Sequence, residues 1–280
     1  MYRVHPSRTS AFKGRDLSSV IASTCFHLEA TSSDSYDGSG QTWANLVAAP
    51  ADGELQTAYD FFLGADGDIS ADDPEFTGSA GDEAAYFNHT GDDLFTLKSG
   101  SNTAFLNGLH MTSGDGGPWW YCSAFRSTNT GFAGMMGTIT TSIQANGVEI
   151  FIDIDVLGTS VRLNVRRGAG NNVTNNDFGS GLTADTNYLI CISSDPTNTD
   201  DIKGWINTTT KTVDTDASPY TSSIDSDGPL RLSIARSFNF DANTRAYTYA
   251  MGNSYIDDAD VLAMFDFLEA LHPAGRYTIS

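Results

Sequence analysis

Residues 148–166 alternate apolar and polar side chains almost without interruption on both sides of a turn that contains Gly158. Because successive side chains of a β-strand point to opposite faces, this alternation predicts a β-hairpin. A two-residue turn with glycine first would centre the hairpin on Gly158 and Thr159. That register pairs Val156 with Val161, Ile154 with Leu163 and Ile152 with Val165. One continuous β-branched face needs a second layer to cover it, so the hairpin indicates a β-sandwich or jelly roll.

The rest of the chain repeats the pattern of short strands separated by loops rich in Gly, Asn, Asp and Ser. This spacing is typical of antiparallel Greek-key sandwiches and not of βαβ units, which need helical crossovers. Further strands are predicted over 25–28, 85–88, 94–97, 119–126, 132–137, 188–193, 202–207, 230–235 and 245–255. We therefore predict an all-β fold, an antiparallel jelly-roll sandwich with one short internal helix and a C-terminal helix.

Both helices carry recognisable start signals. Asn102 is expected to cap a short helix over residues 103–110. A longer helix is predicted over residues 257–272, where Asp257 or Asp258 supplies the cap, apolar residues follow at helical spacing and Pro273 ends the helix. Its single apolar stripe should lie against the sandwich.

The 280-residue chain is predicted to form one jelly-roll domain, residues 21–280, preceded by a basic arm, residues 1–20. All basic side chains of the arm precede the first acid, Asp16; they are Arg3, Arg8, Lys13 and Arg15. Two interpretations stay open. The arm anchors the protein to an acidic or shared protein lattice, or it is a leader folded along its own sheet.

Net charge limits the classes of partner that the sequence predicts, and the cysteines limit the kinds of site. With 35 acidic and 15 basic residues the formal charge is −20, so we expect neither nucleic acid nor a membrane as a partner. The N-terminus lacks the apolar core of a secretory signal, which favours folding in a cytoplasm. Cys25, Cys122 and Cys191 are far apart and have apolar neighbours, a pattern that predicts buried free thiols and supports neither a zinc site nor a disulfide framework.

Three segments resemble elements of the concanavalin A-like lectin/glucanase superfamily, in its LamG-like branch. Residues 26–30 with the loop 35–46, Ser-Tyr-Asp-Gly-Ser-Gly-Gln-Thr-Trp-Ala-Asn-Leu, look like the opening strand and loop of such domains. Residues 84–95 are similar to their central hairpin, and residues 255–261 to the terminal element. The resemblance spans residues 21–272 and implies a jelly roll. Chains of this sort without a signal peptide often resemble bacteriophage virion proteins, a role that this likeness implies and no single residue demonstrates.

Glucanases of this fold raise the question of catalysis by the acids of the hairpin. Glu149, Asp153 and Asp155 share one strand face, but the glucanase patterns Glu-x-Asp-x-x-Glu and Glu-x-Asp-x-Glu are absent. The predicted register places Asp155 opposite Arg162 and Asp153 opposite Asn164 on a solvated face. Cross-strand pairing explains these charges, so we predict that the protein is not an enzyme.

Exposed aromatic rings are candidates for glycan binding, since sugars stack on them and hydrogen-bond to Asp, Asn and Gly-rich loops. Trp119, Tyr121 and Trp205 are the candidate platform. Along a strand Trp119 and Tyr121 share a face opposite to Trp120 and Cys122, so only one of the two faces can meet solvent. The competing interpretation is that at least one tryptophan belongs to the core.

Asp66, Asp68 and Asp72 alternate along a polar loop in the way that oxygen ligands of calcium do. However, Ala71 replaces the glycine of an EF-hand loop and Thr77 replaces its bidentate glutamate. A solvated acidic loop is favoured, with Ca²⁺ as the alternative and no other cofactor predicted.

The leading hypothesis is a non-enzymatic virion structural protein, a head decoration, head fibre or tail-associated protein, that folds in the host cytoplasm. Its partners would be other virion proteins and copies of itself. The alternative is an adhesion module that binds host-surface glycans, and a glycoside hydrolase is the third hypothesis.

Overall fold

The computed structural model describes residues 16–89, 91–111, 114–127, 132–139, 146–153, 160–167, 173–178, 182–195, 202–214, 224–235, 238–239 and 244–278. Its strands are β1 (Thr24–Glu29), β2 (Thr42–Trp43), β3 (Phe61–Leu63), β4 (Glu75–Thr77), β5 (Tyr86–Asn88), β6 (Phe95–Leu97), β7 (Trp119–Ser127), β8 (Phe132–Gly137), β9 (Asn146–Asp153), β10 (Ser160–Arg167), β11 (Val173–Phe178), β12 (Thr186–Ser194), β13 (Ile202–Ile206), β14 (Thr212–Asp214), β15 (Arg231–Leu232), β16 (Ile234–Ala235), β17 (Phe238–Asn239) and β18 (Arg245–Gly252). The helices are α1 (Ala104–Gly108) and α2 (Asp258–Leu271), with 3-10 turns at Leu17–Ser19 and Gln56–Tyr59. No helix within these ranges is long and apolar enough to cross a membrane.

The strands form two antiparallel eight-stranded sheets, which confirms the predicted jelly-roll sandwich. The helix-covered sheet runs in the order β14-β13-β12-β7-β18-β5-β4, and β1 joins β18 beside β5. The hairpin sheet runs in the order β11-β10-β9-β8-β15-β6-β3-β2. Strands β16 and β17 form a separate ribbon that packs on β8 and β9. Pairs of consecutive strands, such as β9 with β10, stand beside pairs that are distant in sequence, such as β1 with β18 and β7 with β12, as expected for Greek-key connections.

The first core lies between the two sheets. The apolar hairpin face, Val148, Ile150, Ile152, Val161 and Leu163, is fully buried there against residues of the helix-covered sheet such as Phe125 and Ile190. The β-branched wall that predicted a second layer is therefore covered by one. Burying a side chain of this size stabilises the fold by roughly 1.5–3 kcal/mol.

The hairpin pairs in a different register from the predicted one. Val161 lies opposite Ile152, and Leu163 lies opposite Ile150, so each partner is four residues earlier than a turn at Gly158 would give. A shift by an even number of residues keeps every side chain on its face, which is why the apolar wall was predicted correctly and its partners were not. The connection 154–159, with Asp155, lies outside the described residues.

The prediction for the polar face of this hairpin is also wrong. Glu149 lies opposite Asn164, Phe151 lies opposite Arg162, and Asp153 pairs with Ser160. Glu149 and Phe151 are fully buried, so their face is not the solvated surface that the alternating pattern indicated. An alternating pattern indicates that one face of a strand is buried, but it does not show that the opposite face is exposed to solvent.

A second core lies between the helix-covered sheet and α2. Trp120, Cys122, Leu189, Cys191, Trp205 and Ala250 of the sheet pack with Val261, Met264, Phe265 and Leu268 of the helix. Asp257 begins α2 through a capping box: its side chain accepts hydrogen bonds from the backbone N–H groups of Ala259 and Asp260, and the Asp260 carboxylate accepts one from the Asp257 backbone N–H. The predicted helix and its packing against the sandwich are confirmed.

The short internal helix is confirmed but its cap is corrected. The cap is Thr103, whose side chain accepts from the backbone of Leu106. Asn102 instead joins two distant segments, because it donates to the Gly228 carbonyl and accepts from the backbone N–H of Leu230. Strands β4 and β11 form within stretches predicted to be loops.

Residues 16–20 belong to the folded body. Asp16 caps the first 3-10 turn, and Leu17 is fully buried in the second core. The last five residues of the predicted arm, 16–20, therefore pack on the described domain. The anchor residues Arg3, Arg8, Lys13 and Arg15 lie outside the described residues.

Candidate functional site

A cleft of about 220 Å³ opens between α1, the loop 114–118 and the segment that follows β18. Its lining residues are Phe105, Gly108, Asp115, Gly117, Pro118 and Asn253. Asp115 is exposed, whereas Phe105, Pro118 and Asn253 are half-buried and keep part of their surface accessible. Because ligand sites are concave and combine apolar surface with a few polar groups, this cleft is the candidate site.

Two glycines hold the cleft loop against α1. A Cβ added to Gly108 would lie 2.0 Å from the carbonyl oxygen of Asp115, and one added to Gly116 would lie 2.2 Å from that of Met111. Only glycine permits this approach of backbone to backbone. The loop that carries Asp115 is therefore fixed at the end of α1.

The floor beside the loop is held by two buried tryptophans. The Trp119 indole donates to the Leu109 carbonyl at 2.8 Å, and the Trp120 indole donates to the Ser23 hydroxyl at 3.0 Å. Asn253 is fixed by its backbone N–H, which donates to the Ser23 carbonyl at 3.0 Å. Three segments distant in sequence thus meet at one end of the sandwich.

The lining suits a polyhydroxylated ligand. Phe105 contributes a half-buried aromatic ring that also packs on the first core, Asp115 can accept hydrogen bonds, and the Asn253 amide can both donate and accept them. Sugar rings present apolar C–H faces and hydroxyl edges, which these groups match. Within the described lining, Asp115 carries the charge, and it is negative.

The aromatic residues predicted to bind glycans do not line this cleft. Trp119 and Tyr121 are fully buried in the first core, and Trp205 is fully buried in the second. The Trp205 indole donates to the Asp258 carboxylate at 2.9 Å and so joins β13 to α2. These rings have no exposed face on which a sugar can stack, which corrects the predicted platform in favour of the interpretation that these tryptophans are core residues.

The acidic loop keeps its carboxylates in local turns. Asp66 accepts from the backbone of Asp68 at 2.9 Å, and Ser70 donates to Asp72 and Asp73. Among the described residues, which include this loop, no group of three or more Asp, Glu, His or Cys side chains is placed to hold a metal ion. The structure does not bring Asp66, Asp68 and Asp72 together as one ligand set.

A buried polar cluster, missed by the sequence analysis, joins the C-terminal segment to the helix-covered sheet. One oxygen of fully buried Glu29 lies 3.1 Å from His272 Nε2, and the other accepts from the Thr248 hydroxyl at 2.7 Å. The Tyr277 hydroxyl lies 2.5 Å from His272 Nδ1. Because this cluster is closed to solvent, it stabilises the fold and offers no entry for a ligand.

Comparisons with known proteins find structures of similar fold but no relative by sequence. No family model and no curated protein matches the chain. A solved structure of botulinum neurotoxin type C has a TM-score of 0.58 over 90% of this chain at 9% sequence identity, and Trypanosoma rangeli sialidase has one of 0.53 over 90% at 9%. The binding domain of botulinum neurotoxin serotype D/C has a TM-score of 0.52 over 89% at 11%.

This chain spans 53% of each neurotoxin chain and 34% of the sialidase chain. At such identities the likeness concerns architecture alone. The protein shares with them the class of antiparallel β-sandwich jelly rolls.

Proposed function

We propose that the protein is a non-enzymatic carbohydrate-binding module that holds a glycan in the cleft of Phe105, Asp115 and Asn253. The observation that carries this proposal is the combination of a partly exposed aromatic residue, an aspartate and an asparagine in the lining of one concave site. The small volume of the cleft, about 220 Å³, suits one sugar residue of a longer glycan. The rest of such a glycan would extend into solvent.

The structural neighbours support glycans as the ligand class. Cell entry of botulinum neurotoxin type C depends on two ganglioside molecules, and a related binding domain is solved in complex with SialylT. Trypanosoma rangeli sialidase is solved in complex with sialic acid. Because the sequence identity is low, these neighbours support glycan binding as a function found on similar folds, and they do not indicate which sugar this protein binds.

Two features favour binding over hydrolysis. Glycosidases place two carboxyl groups across the scissile bond, about 5–5.5 Å apart in retaining enzymes and farther apart in inverting ones. Among the described residues that line the cleft, Asp115 is the single carboxylate. Glu149 of the hairpin, a candidate catalytic acid by its position on the strand, is fully buried.

A glycan array followed by calorimetric titration of the purified chain tests this proposal. The array should contain neutral and sialylated glycans and be read with and without Ca²⁺, because calcium binding is the alternative predicted for the acidic loop. We expect binding to at least one glycan. Phe105→Ala should weaken that binding about tenfold, the equivalent of roughly 1.4 kcal/mol of aromatic contact.

A second variant and a control separate loss of binding from loss of fold. An added Cβ at Gly117 would meet no atom within 4 Å, so Gly117→Leu should obstruct the cleft while the domain stays folded. Phe62→Ala removes a half-buried phenylalanine that does not line the cleft and should bind normally. No bound glycan, or equal binding by wild type and both cleft variants, would contradict the proposal.

We also propose display on a bacteriophage particle, as a head decoration, head fibre or tail-associated protein, with other virion proteins and copies of itself as partners. The support is the run of basic residues before Asp16 and the resemblance of residues 21–272. Deleting residues 1–15 leaves the buried Leu17 in place, so the domain should fold. Loss of the truncated chain from sedimented particles is expected; full occupancy would exclude the arm as the anchor.

A further inference from the structure

Two of the three cysteines meet inside the protein although 68 residues separate them in sequence. Cys122 of β7 and Cys191 of β12 are direct partners in the antiparallel register, and their sulfur atoms lie 3.1 Å apart. Both are free and fully buried in the second core, beneath α2. Cys25 is buried in the first core, between the sheets.

The backbone geometry suits a covalent link. Directly opposed residues of an antiparallel pair have Cα atoms about 4.5 or 5.5 Å apart, depending on the hydrogen-bonding pattern, and both values lie within the usual disulfide range of about 4.4–6.8 Å. The sulfur atoms need to approach by about 1 Å to reach the bond length of about 2.05 Å. A rotation of the two side chains supplies such a shift without moving the strands.

We propose that Cys122 and Cys191 are a disulfide site, oxidised by a low-molecular-weight disulfide such as oxidised glutathione to a covalent bond between β7 and β12. One cysteine thiolate attacks the small disulfide, forms a mixed disulfide and releases a thiolate. The second cysteine attacks the protein sulfur of this mixed disulfide and releases the second small thiolate. The two cysteine protons pass to the two released thiolates, so one small disulfide is reduced to two thiols as the protein disulfide forms.

Access to the pair controls this reaction. Burial raises the pKa of Cys191 well above its usual value, and its hydrogen bond with Cys122 raises it further, so the reactive thiolate is scarce in the native state. A small disulfide reaches either sulfur only when α2 leaves the sheet. Oxidation should therefore be slow in buffer and faster in urea concentrations below the unfolding midpoint, where transient opening of α2 is more frequent.

The test incubates the full-length chain with oxidised glutathione in such urea, removes the reagent and counts thiols after complete denaturation. We expect the count to fall from three to one, the intact mass to fall by two hydrogen atoms, and one cross-linked peptide pair to contain residues 122 and 191. The oxidised protein should unfold at a midpoint several degrees higher, because the bond closes a long loop in the unfolded chain.

Single variants provide the controls. Cys25→Ser should still lose both remaining thiols, whereas Cys122→Ser and Cys191→Ser should not form an intramolecular disulfide. Three thiols after incubation, glutathione left on both Cys122 and Cys191, or a disulfide that includes Cys25 would each overturn the proposal. None of these outcomes depends on glycan binding.

Discussion

At the scale of single residues, Glu29 shows how this fold accommodates a buried charge. Removing a carboxylate from water raises its pKa, yet the charge of His272, its hydrogen bond at 3.1 Å and the nearby His27 imidazole at 3.8 Å lower it more, and the net pKa lies well below the usual value. Two hydroxyl groups, of Thr31 and Thr248, donate to the same carboxylate. The cost of burial is offset because these hydroxyl groups and the two histidines favour its ionised form.

We therefore predict a specific acid sensitivity for Glu29. A carboxylate whose pKa is lower in the folded state contributes stability above its unfolded pKa, and that contribution is lost as pH falls through the folded pKa. Glu29→Gln should lower the free energy of unfolding at pH 7 by about 3 kcal/mol, the loss typical of removing one partner of a buried pair. Below pH 4 the difference from wild type should shrink. Urea unfolding from pH 7 to pH 3 measures both effects; a constant difference would contradict the assignment.

His89 should affect the free energy of unfolding at higher pH than Glu29 does. Burial lowers its pKa from 6.5 to about 3, so the folded protein resists a proton that the unfolded chain binds below pH 6.5. As pH is lowered, the free energy of unfolding decreases wherever the unfolded state binds more protons than the folded state, by up to about 1.4 kcal/mol per pH unit for one group. In His89→Gln the loss between pH 6.5 and pH 4.5 should be smaller than in wild type, while His110, whose pKa burial also lowers, still contributes to it. The same unfolding series tests it, since the Glu29 contribution lies below this range.

At the scale of secondary structure, the sequence predicted the elements whose signals are local. The α2 helix has its cap, stripe and terminating proline within one segment, and β8 begins and ends at the predicted residues. The hairpin register was missed because its turn was chosen from Gly158 alone, although sequence alternation fixes faces and not partners. Asn102 has the residue type of a cap, but its side chain binds Gly228 and Leu230, contacts that exist only in the folded chain.

The capping box of α2 gives a prediction at this scale. Asp257→Ala removes the acceptor for two backbone N–H groups at the start of the helix and should lower the free energy of unfolding by about 1 kcal/mol. Asp266→Ala is the matched control, because Asp266 is an exposed residue in the interior of the same helix. Its effect should stay within about 0.5 kcal/mol. Urea unfolding of both variants decides whether the cap or simple loss of charge matters.

At the scale of the whole molecule, the sandwich was predictable and the candidate cleft was not. An uncovered β-branched wall requires a second layer whichever strands supply it, so composition and alternation were sufficient for the fold class. The cleft instead joins α1, the loop 114–118 and Asn253, and nothing local relates these segments. The glycine-rich run Gly114-Asp115-Gly116-Gly117-Pro118 was the available signal. The tryptophans have side chains suited to sugar stacking, but the topology places them in the cores.

The two-core arrangement leads to a final prediction about α2. The helix is not an appendage, since it covers Trp120, Cys122 and Cys191 on the outer face of the helix-covered sheet, and the segment after it brings His272 to Glu29. A chain ending at residue 256 would expose this apolar surface and leave the Glu29 carboxylate without its main charged partner. Such a surface promotes aggregation, and an unpaired buried charge costs several kcal/mol.

We expect the truncated chain to be insoluble, or to lose its cooperative thermal transition, whereas a chain ending at residue 278 keeps α2 and Tyr277 and should behave as wild type. Circular dichroism and size-exclusion chromatography of the two chains measure this difference. A truncated chain that stayed monomeric and melted cooperatively would show that the sandwich is stable with one core. In that case Cys122 and Cys191 should react rapidly with thiol reagents in native buffer, because the helix that shields them would be gone.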